Sequence, residues 1–261
     1  MANKIYDNFV LANEIEDQYN SHLNLLRFCT VDNSLVGTPG MLKKIHTYSA
    51  TDGFEKLDMG EGNSKVIETT YSEQEYRILL AQGQFHYFDE EAMTDPTAVQ
   101  TGIRHLTTDL FNTINGDIFA EFNKATQNVT ASAPNFEAFV DLGALLNVEN
   151  LEGIEKFAFV NPKDMAKVRK ALKDDLKYVE AFSRNGYVGT VAGWNLYTKV
   201  DATEGTIVGG TKDAVTMFNK KGTEVEQDRN PDIRKNMVIA RKYYLAAITD
   251  YTKAVKLTIS A

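Results

Sequence analysis

Residues 51–65 read Thr-Asp-Gly-Phe-Glu-Lys-Leu-Asp-Met-Gly-Glu-Gly-Asn-Ser-Lys, and they form a long excursion between two strand-like runs. It is polar, and three of its residues are glycines. Residues 41–48 before it and residues 66–71 after it are rich in the β-branched and aromatic types that favour strands. A polar loop of this length without a core of its own is usually a lid, a binding loop or an arm that reaches another chain. The sequence therefore predicts a long hairpin that projects from the body of the protein.

The tip of this hairpin carries three apolar side chains, Phe54, Leu57 and Met59, with nothing nearby in the sequence to bury them. Charges across residues 41–66 balance, with four lysines against four carboxylates. Burying one such apolar side chain against a neighbour is worth roughly 1.5–3 kcal/mol. We therefore predict that these three side chains contact another copy of the chain, and that the protein is built to assemble.

A long amphipathic helix follows the hairpin and a further strand region at residues 76–88. Asp95 and Pro96 form a favourable helix start, with the acid as cap and proline at the first helical position. Apolar residues then recur every three or four positions and form one continuous stripe: Ile103, Leu106, Leu110, Ile114, Ile118 and Phe122. A helix that continues to Lys124 would be ~42 Å long at 1.5 Å per residue.

The rest of the chain has the texture of short α/β units followed by strands. A cap and a proline at Asn161-Pro162 predict the start of one helix. Thr211 is predicted to cap another helix, which carries Ala214, Val215 and Phe218. The other predicted elements are a helix at 136–146, strands at 157–160, 188–197, 206–208, 237–239, 243–248 and 255–259, and a turn at 228–232.

Composition excludes several classes of protein. The net charge of -8 argues against a dedicated nucleic-acid binder, although a repulsive wall can still enclose nucleic acid without sticking to it. Cys29 is the single cysteine, so neither an intrachain disulfide nor a cysteine zinc site can form. The first thirty residues lack the apolar core of a signal peptide, and no apolar run approaches the ~20 residues of a membrane span. These features predict a cytoplasmic chain that does not enter a membrane.

The sequence offers no constellation for catalysis. Its four histidines, at positions 22, 46, 86 and 105, form none of the HxxxH, HxH or HExxH spacings of metal sites. A calcium loop that began at Asp228 would need glycine at its sixth position and glutamate at its twelfth, but the sequence has Ile233 and Ile239 there. Cys29 has no neighbouring charge to activate it, and the acids at 89–91 precede a helix whose dipole they stabilise. We predict no catalytic residue, no cofactor and no bound metal.

The order of these parts resembles the major capsid protein of tailed bacteriophages, which has the Hong Kong 97-type fold. Residues 37–39 with 42–48 are similar to that family's start of the hairpin, and Thr108-Asp109-Leu110 is similar to a motif of its spine helix. Phe159-Val160-Asn161-Pro162 resembles a strand that turns into a proline-started helix. Closing strands are matched by residues 227–230, Tyr243-Tyr244 and residues 254–257.

The resemblance implies an α+β fold in four parts. They are an N-terminal arm (1–36), an extended hairpin loop (37–72), a peripheral domain with the spine helix (73–126 and 222–261) and an axial α/β domain (127–221). It implies a shell subunit that forms pentamers and hexamers of itself, encloses double-stranded DNA without reading its sequence, and is found in the virion after assembly in the bacterial cytoplasm. It also implies a portal. Only ~36 residues precede the hairpin and Met1 begins the chain, so we expect scaffolding to come from a separate protein.

Two other hypotheses stay open at this point. An encapsulin-like shell of a cellular nanocompartment would need the same contacts between subunits. A small α/β enzyme that uses residues 127–221 would instead need a pocket with converging polar groups.

Overall fold

The computed structural model describes residues 6–7, 24–146, 154–173 and 189–260. Most of the expected N-terminal arm therefore lies outside the described residues. Four α-helices occur in the described part of the chain: α1 (Asp89–Thr94), α2 (Pro96–Phe122), α3 (Phe136–Leu145) and α4 (Pro162–Ala171). The strands are β1 (Tyr6–Asp7), β2 (Thr30–Asp32), β3 (Leu42–Ala50), β4 (Thr69–Arg77), β5 (Leu79–Phe88), β6 (Gln127–Ala131), β7 (Lys156–Val160), β8 (Thr190–Val191), β9 (Trp194–Thr198), β10 (Thr206–Gly210), β11 (Val215–Asn230), β12 (Lys235–Ile248) and β13 (Ala254–Ile259).

The first large sheet is built around the long antiparallel pair β11 and β12. Its strand order is β1-β11-β12-β5, and β2 pairs with β11 in parallel. The turn between β11 and β12 covers residues 231–234 and contains Arg234 at φ +51. The turn predicted at residues 228–232 begins three residues too early, because residues 228–230 form the end of β11. The two strand segments predicted at 237–239 and 243–248 are one continuous strand, because both lie on the same ladder with β11.

The second large sheet has six strands in the order β6-β13-β10-β7-β9-β8. Strand β13 pairs with β10 and β6, so it lies in this sheet and not beside β12. The resemblance places residues 222–261 in the peripheral domain with the spine helix, but β13 at the end of this range pairs with strands of the second sheet. Its buried Val255 and Leu257 pack with residues of α3 and β7 in the second sheet's core, and this burial decides which sheet it joins.

Helix α2 is the predicted spine helix, and it spans 27 residues or ~40 Å. The Asp95 side chain accepts a hydrogen bond from the Thr97 amide at 3.0 Å and caps its first turn. The predicted stripe is buried from Leu106 onward, ending at Phe122. One core cluster contains this stripe together with residues of both sheets, so α2 joins the two sheets through its buried face.

Polar contacts anchor α2 to the first sheet in addition to the apolar stripe. The Tyr244 hydroxyl donates to Asp117 at 2.6 Å, and the Ile248 amide donates to Glu121 at 3.2 Å. At the second sheet, the ring of Phe122 packs edge-on against Phe157 with centroids 5.5 Å apart. The helix is therefore fixed by both hydrogen bonds and packing.

The helices predicted at 136–146 and after Asn161 are confirmed as α3 and α4. Asn135 caps α3 by accepting from the Ala138 amide at 3.0 Å, and Asn161 caps α4 by accepting from the Lys163 amide at 2.9 Å. The indole of Trp194 donates to the Phe139 carbonyl at 3.1 Å and ties α3 to the second sheet.

The helix predicted after Thr211 is wrong, because β11 begins at Val215. Val215 and Met217 are buried in the core under α2, whereas Phe218 is buried in a separate cluster with Ile78. Residues two apart thus point to one face and the next residue to the other, which is the period of a strand. The three apolar residues at 214, 215 and 218 fit either period, and packing on both faces selects the strand.

Candidate assembly surface

The extended hairpin forms a sheet of its own from β3 and β4, with Leu42 opposite Arg77 and Ala50 opposite Thr69. Among the described residues, neither strand joins a larger sheet. The second strand was predicted at residues 66–71 and instead runs from Thr69 to Arg77. The strand was placed too early because it contains polar residues such as Ser72, Gln74 and Glu75, whereas the prediction relied on apolar and aromatic side chains. Both faces of β4 are exposed at most positions, so it has no apolar alternation.

Charged side chains pair across the hairpin. Lys44 forms ion pairs with Glu73 and with Glu75, the latter at 2.9 Å, and His46 lies 3.8 Å from Glu73. The hydrogen bond from Lys44 holds the pKa of Glu73 below its usual range, and the bond to Glu73 raises the pKa of Lys44. These groups are exposed, so their main effect is to favour one register of the two strands over others.

The tip of the hairpin has a defined shape held by polar bonds. The Glu61 amide donates to the Asp58 carbonyl at 3.1 Å and closes a turn around Met59 and Gly60. Gly60 has φ +91, which a residue with a side chain adopts only under strain. The Asn63 side chain donates to the Gly53 carbonyl at 2.9 Å and joins the two arms of the loop. The tip is thus ordered by hydrogen bonds and not by an apolar core.

All three apolar residues predicted at the tip are exposed in the single chain. Phe54 is 90% exposed, Leu57 42% and Met59 106%. Val66 and Ile67 on the returning arm are also exposed. Exposed apolar side chains that cluster at the end of a projecting element mark an interaction surface. Their contact with another subunit stays a prediction.

The base of the hairpin, in contrast, is fastened to the body. Ile78, which directly follows β4, is buried with Phe218, Leu245 and Ala247 of the first sheet. Its amide donates to the Met41 carbonyl at 2.9 Å, which closes the hairpin at its base. The hairpin is therefore anchored at one end and presents its apolar residues at the other.

Comparison with known proteins identifies this architecture. No protein-family model matches the chain. The major capsid protein of Staphylococcus phage phiMR11 is 25% identical over 266 residues, covering 95% of this chain and 92% of that protein. The chain is thus similar along nearly its whole length to a phage major capsid protein, and it has the Hong Kong 97-type capsid fold.

Solved structures agree with this likeness and show the fold of the chain. The capsid of a native GTA particle aligns with a TM-score of 0.69 at 14% identity, covering 91% of this chain and 90% of that one. The capsid of cyanophage P-SCSP1u aligns at 0.65 and 12% identity, with 89% and 86% covered. A virus-like particle from Pyrococcus furiosus aligns at 0.64 and 15% identity, with 95% and 97% covered. The predicted α+β capsid fold is confirmed.

The relative and the aligned capsids are structural proteins and not enzymes. In this chain, Asp89 and Cys29, which were weighed as catalytic groups, have structural roles. Asp89 accepts from the Asn236 side chain and pairs with Arg229, both at 2.6 Å, and these bonds lower its pKa. Burial raises the pKa of the Cys29 thiol to about 12. His22 lies outside the described residues, and within those residues no group of three or more metal-ligating side chains gathers. No helix in the described part is both long and apolar enough to cross a membrane.

Two features of the chain were not predicted from its sequence. Asp164 in the first turn of α4 is fully buried, accepts from the Gly205 amide at 2.7 Å and pairs with Lys167 at 2.8 Å. The second feature is a recess at the hairpin base, which is lined by residues from 36–41 and by residues 220–221. About 180 positions separate these segments in the chain, so no sequence pattern indicates that they meet.

Proposed function

We propose that this capsid protein forms the icosahedral head of a tailed phage, as pentamers and hexamers of itself around double-stranded DNA. The observation that carries the proposal is the likeness to a phage major capsid protein along 95% of the chain. The net charge of -8 supports a shell that encloses DNA without binding it tightly, because like charges repel. Assembly would take place in the cytoplasm of the host bacterium.

We further propose that Phe54, Leu57 and Met59 contact a neighbouring subunit. Their exposure in the single chain and the anchored base of the hairpin both support this role. Large obligate interfaces bury roughly 2,000–5,000 Å² in total, and a symmetric shell repeats each contact at every subunit. A modest gain per subunit therefore suffices to stabilise the shell.

A separate scaffolding protein and a portal complete the proposal. Expression of this chain alone should then give monomers, sheets, tubes or shells of mixed size. Expression together with the scaffolding protein encoded by the same phage should give uniform shells. Electron microscopy of both preparations tests this, and uniform heads from the chain alone would show that a separate scaffold is not needed.

Packaged contents distinguish the phage head from an encapsulin-like compartment. Particles released from infected cells should contain double-stranded DNA, measured by nuclease-protected absorbance and sequencing. Particles that contain a defined protein cargo and no DNA, identified by mass spectrometry, would favour the compartment instead.

A further inference from the structure

A recess of about 670 Å³ lies at the base of the hairpin. Its wall is mainly apolar, and two lysines stand among the residues that line it: Val36, Pro39, Met41, Tyr243, Lys220 and Lys221. Val36 is 55% exposed and Met41 43%, so these side chains face solvent across the opening of the recess. An open apolar recess beside a cation favours a partner that carries both an apolar side chain and a carboxylate.

The cation in this recess is Lys220. Its ammonium group donates to the Thr38 carbonyl, and none of the described carboxylates forms an ion pair with it. Lys221 differs, because Glu224 pairs with it at 2.5 Å. The recess thus holds one positive charge that is not neutralised within the described chain.

The hairpin tip has the complementary chemistry. Residues 52–61 contain four carboxylates and one lysine, a net charge of -3. Met59 is the most exposed apolar side chain of the tip, and it stands in the turn between Asp58 and Glu61. Methionine is unbranched and adapts to irregular apolar recesses. An apolar side chain between two carboxylates matches an apolar recess with an unpaired lysine.

The tip and the recess of one chain cannot meet each other. Strands β3 and β4 have nine residues each, which separates the base from the tip by about 30 Å. We propose that the recess receives Met59 of a second copy of this chain, with Asp58 and Glu61 of that copy facing Lys220. The inference rests on the proposed contact of the hairpin tip with a neighbouring subunit and names the surface that receives it. Such a head-to-tail contact uses a different surface on each partner, and it closes into rings when the rotation permits.

Charge reversal tests the proposal. Lys220→Glu should reduce the yield of shells at least tenfold, because a carboxylate would then face the acidic tip. Adding Asp58→Lys and Glu61→Lys to the same chain should restore shells. Lys170→Glu reverses another exposed lysine, on α4, and should leave the yield unchanged. Circular dichroism melting should show that every variant folds. Shell yields for Lys220→Glu equal to those of Lys170→Glu would overturn the proposal.

Disulfide trapping tests the geometry without relying on yield. Shells assembled from a mixture of Met59→Cys and Val36→Cys subunits should form a mixed disulfide dimer under mild oxidation. Shells of either variant alone should not, and Cys29 is buried and does not compete. Intact mixed shells without this dimer, or with Met59→Cys homodimers instead, would show that the tip docks elsewhere.

A variant without the tip separates this inference from the proposed function. Suppose that deleting residues 52–64 abolishes shells, whereas Lys220→Glu leaves the shell yield unchanged and the mixed disulfide dimer does not form. The tip then contacts a neighbouring subunit, but not at this recess. If shells form normally without the tip, both the proposed contact and the recess are wrong.

Discussion

The spine helix α2 and the extended hairpin differ in the burial of their apolar residues. In α2, Ile114, Ile118 and Phe122 are almost completely buried against two sheets of the same chain. In the hairpin, Phe54 is 90% exposed and Met59 106%, and both lie at the end farthest from the body. One element uses its apolar surface for folding, and the other keeps it for association. Changes in the two regions should therefore affect different measurements.

Removal of the hairpin tip should have the largest effect on assembly. Replacing residues 52–64 with an Asn-Gly turn deletes every apolar residue of the tip and leaves the anchored base intact. We expect regular shells to disappear, as seen by electron microscopy. The melting temperature of the monomer should stay within a few degrees, because the tip packs on no core. A monomer that unfolds would show that the hairpin belongs to the folding unit after all.

A cavity in the core under α2 should instead lower the stability of the folded monomer. Phe122→Ala removes a fully buried ring that packs on Phe157 and Phe159. Such changes cost about 3–5 kcal/mol of the free energy of unfolding. Urea denaturation of the monomer measures this loss. Exposed Ala120 on the same helix offers a control, because Ala120→Ser should change the free energy of unfolding by less than about 0.5 kcal/mol.

Smaller changes at the tip should affect assembly alone. Met59→Ser removes an apolar side chain from the proposed contact, whose burial is worth roughly 1.5–3 kcal/mol. The subunit concentration needed for shells should rise about 10- to 100-fold, as measured by light scattering. Monomer stability should not change. Equal losses of stability and assembly would contradict the division between the two regions.

The ion pairs of the hairpin should have the smallest effect. Lys44 favours the charged form of Glu73 and lowers its pKa. Any stabilisation from this pair is therefore present above the ordinary pKa of glutamate and is lost as the pH falls through the lowered value. Lys44→Met should leave the melting temperature of the monomer unchanged at pH 7. Nuclear magnetic resonance titration of Glu73 should show its pKa rising in that variant, and an unchanged pKa would contradict the pairing.

The same contrast explains how much of the structure could be predicted from the sequence. Helix α2 was predictable because its cap at Asp95, its proline and its buried stripe all lie within one segment. The hairpin was predictable from its lack of a core, although β4 was placed too early because its strand residues are polar. The start of β11 was misread because Val215 and Phe218 are buried on opposite faces by residues far away in the chain. The recess could not be predicted from the sequence, because only the folded chain brings Met41 near Lys220.

Strand β13 has a consequence for the timing of folding. It is the last of its sheet's six strands in chain order, yet it lies in the interior between β6 and β10. Until residues 254–259 have been synthesised, β6 has no partner strand in the sheet and β10 has only β7. The sheet thus cannot close around its core on a growing polypeptide. Chains that end before this strand would lack a complete second sheet. Such incomplete chains would therefore not fold into subunits that can join a shell.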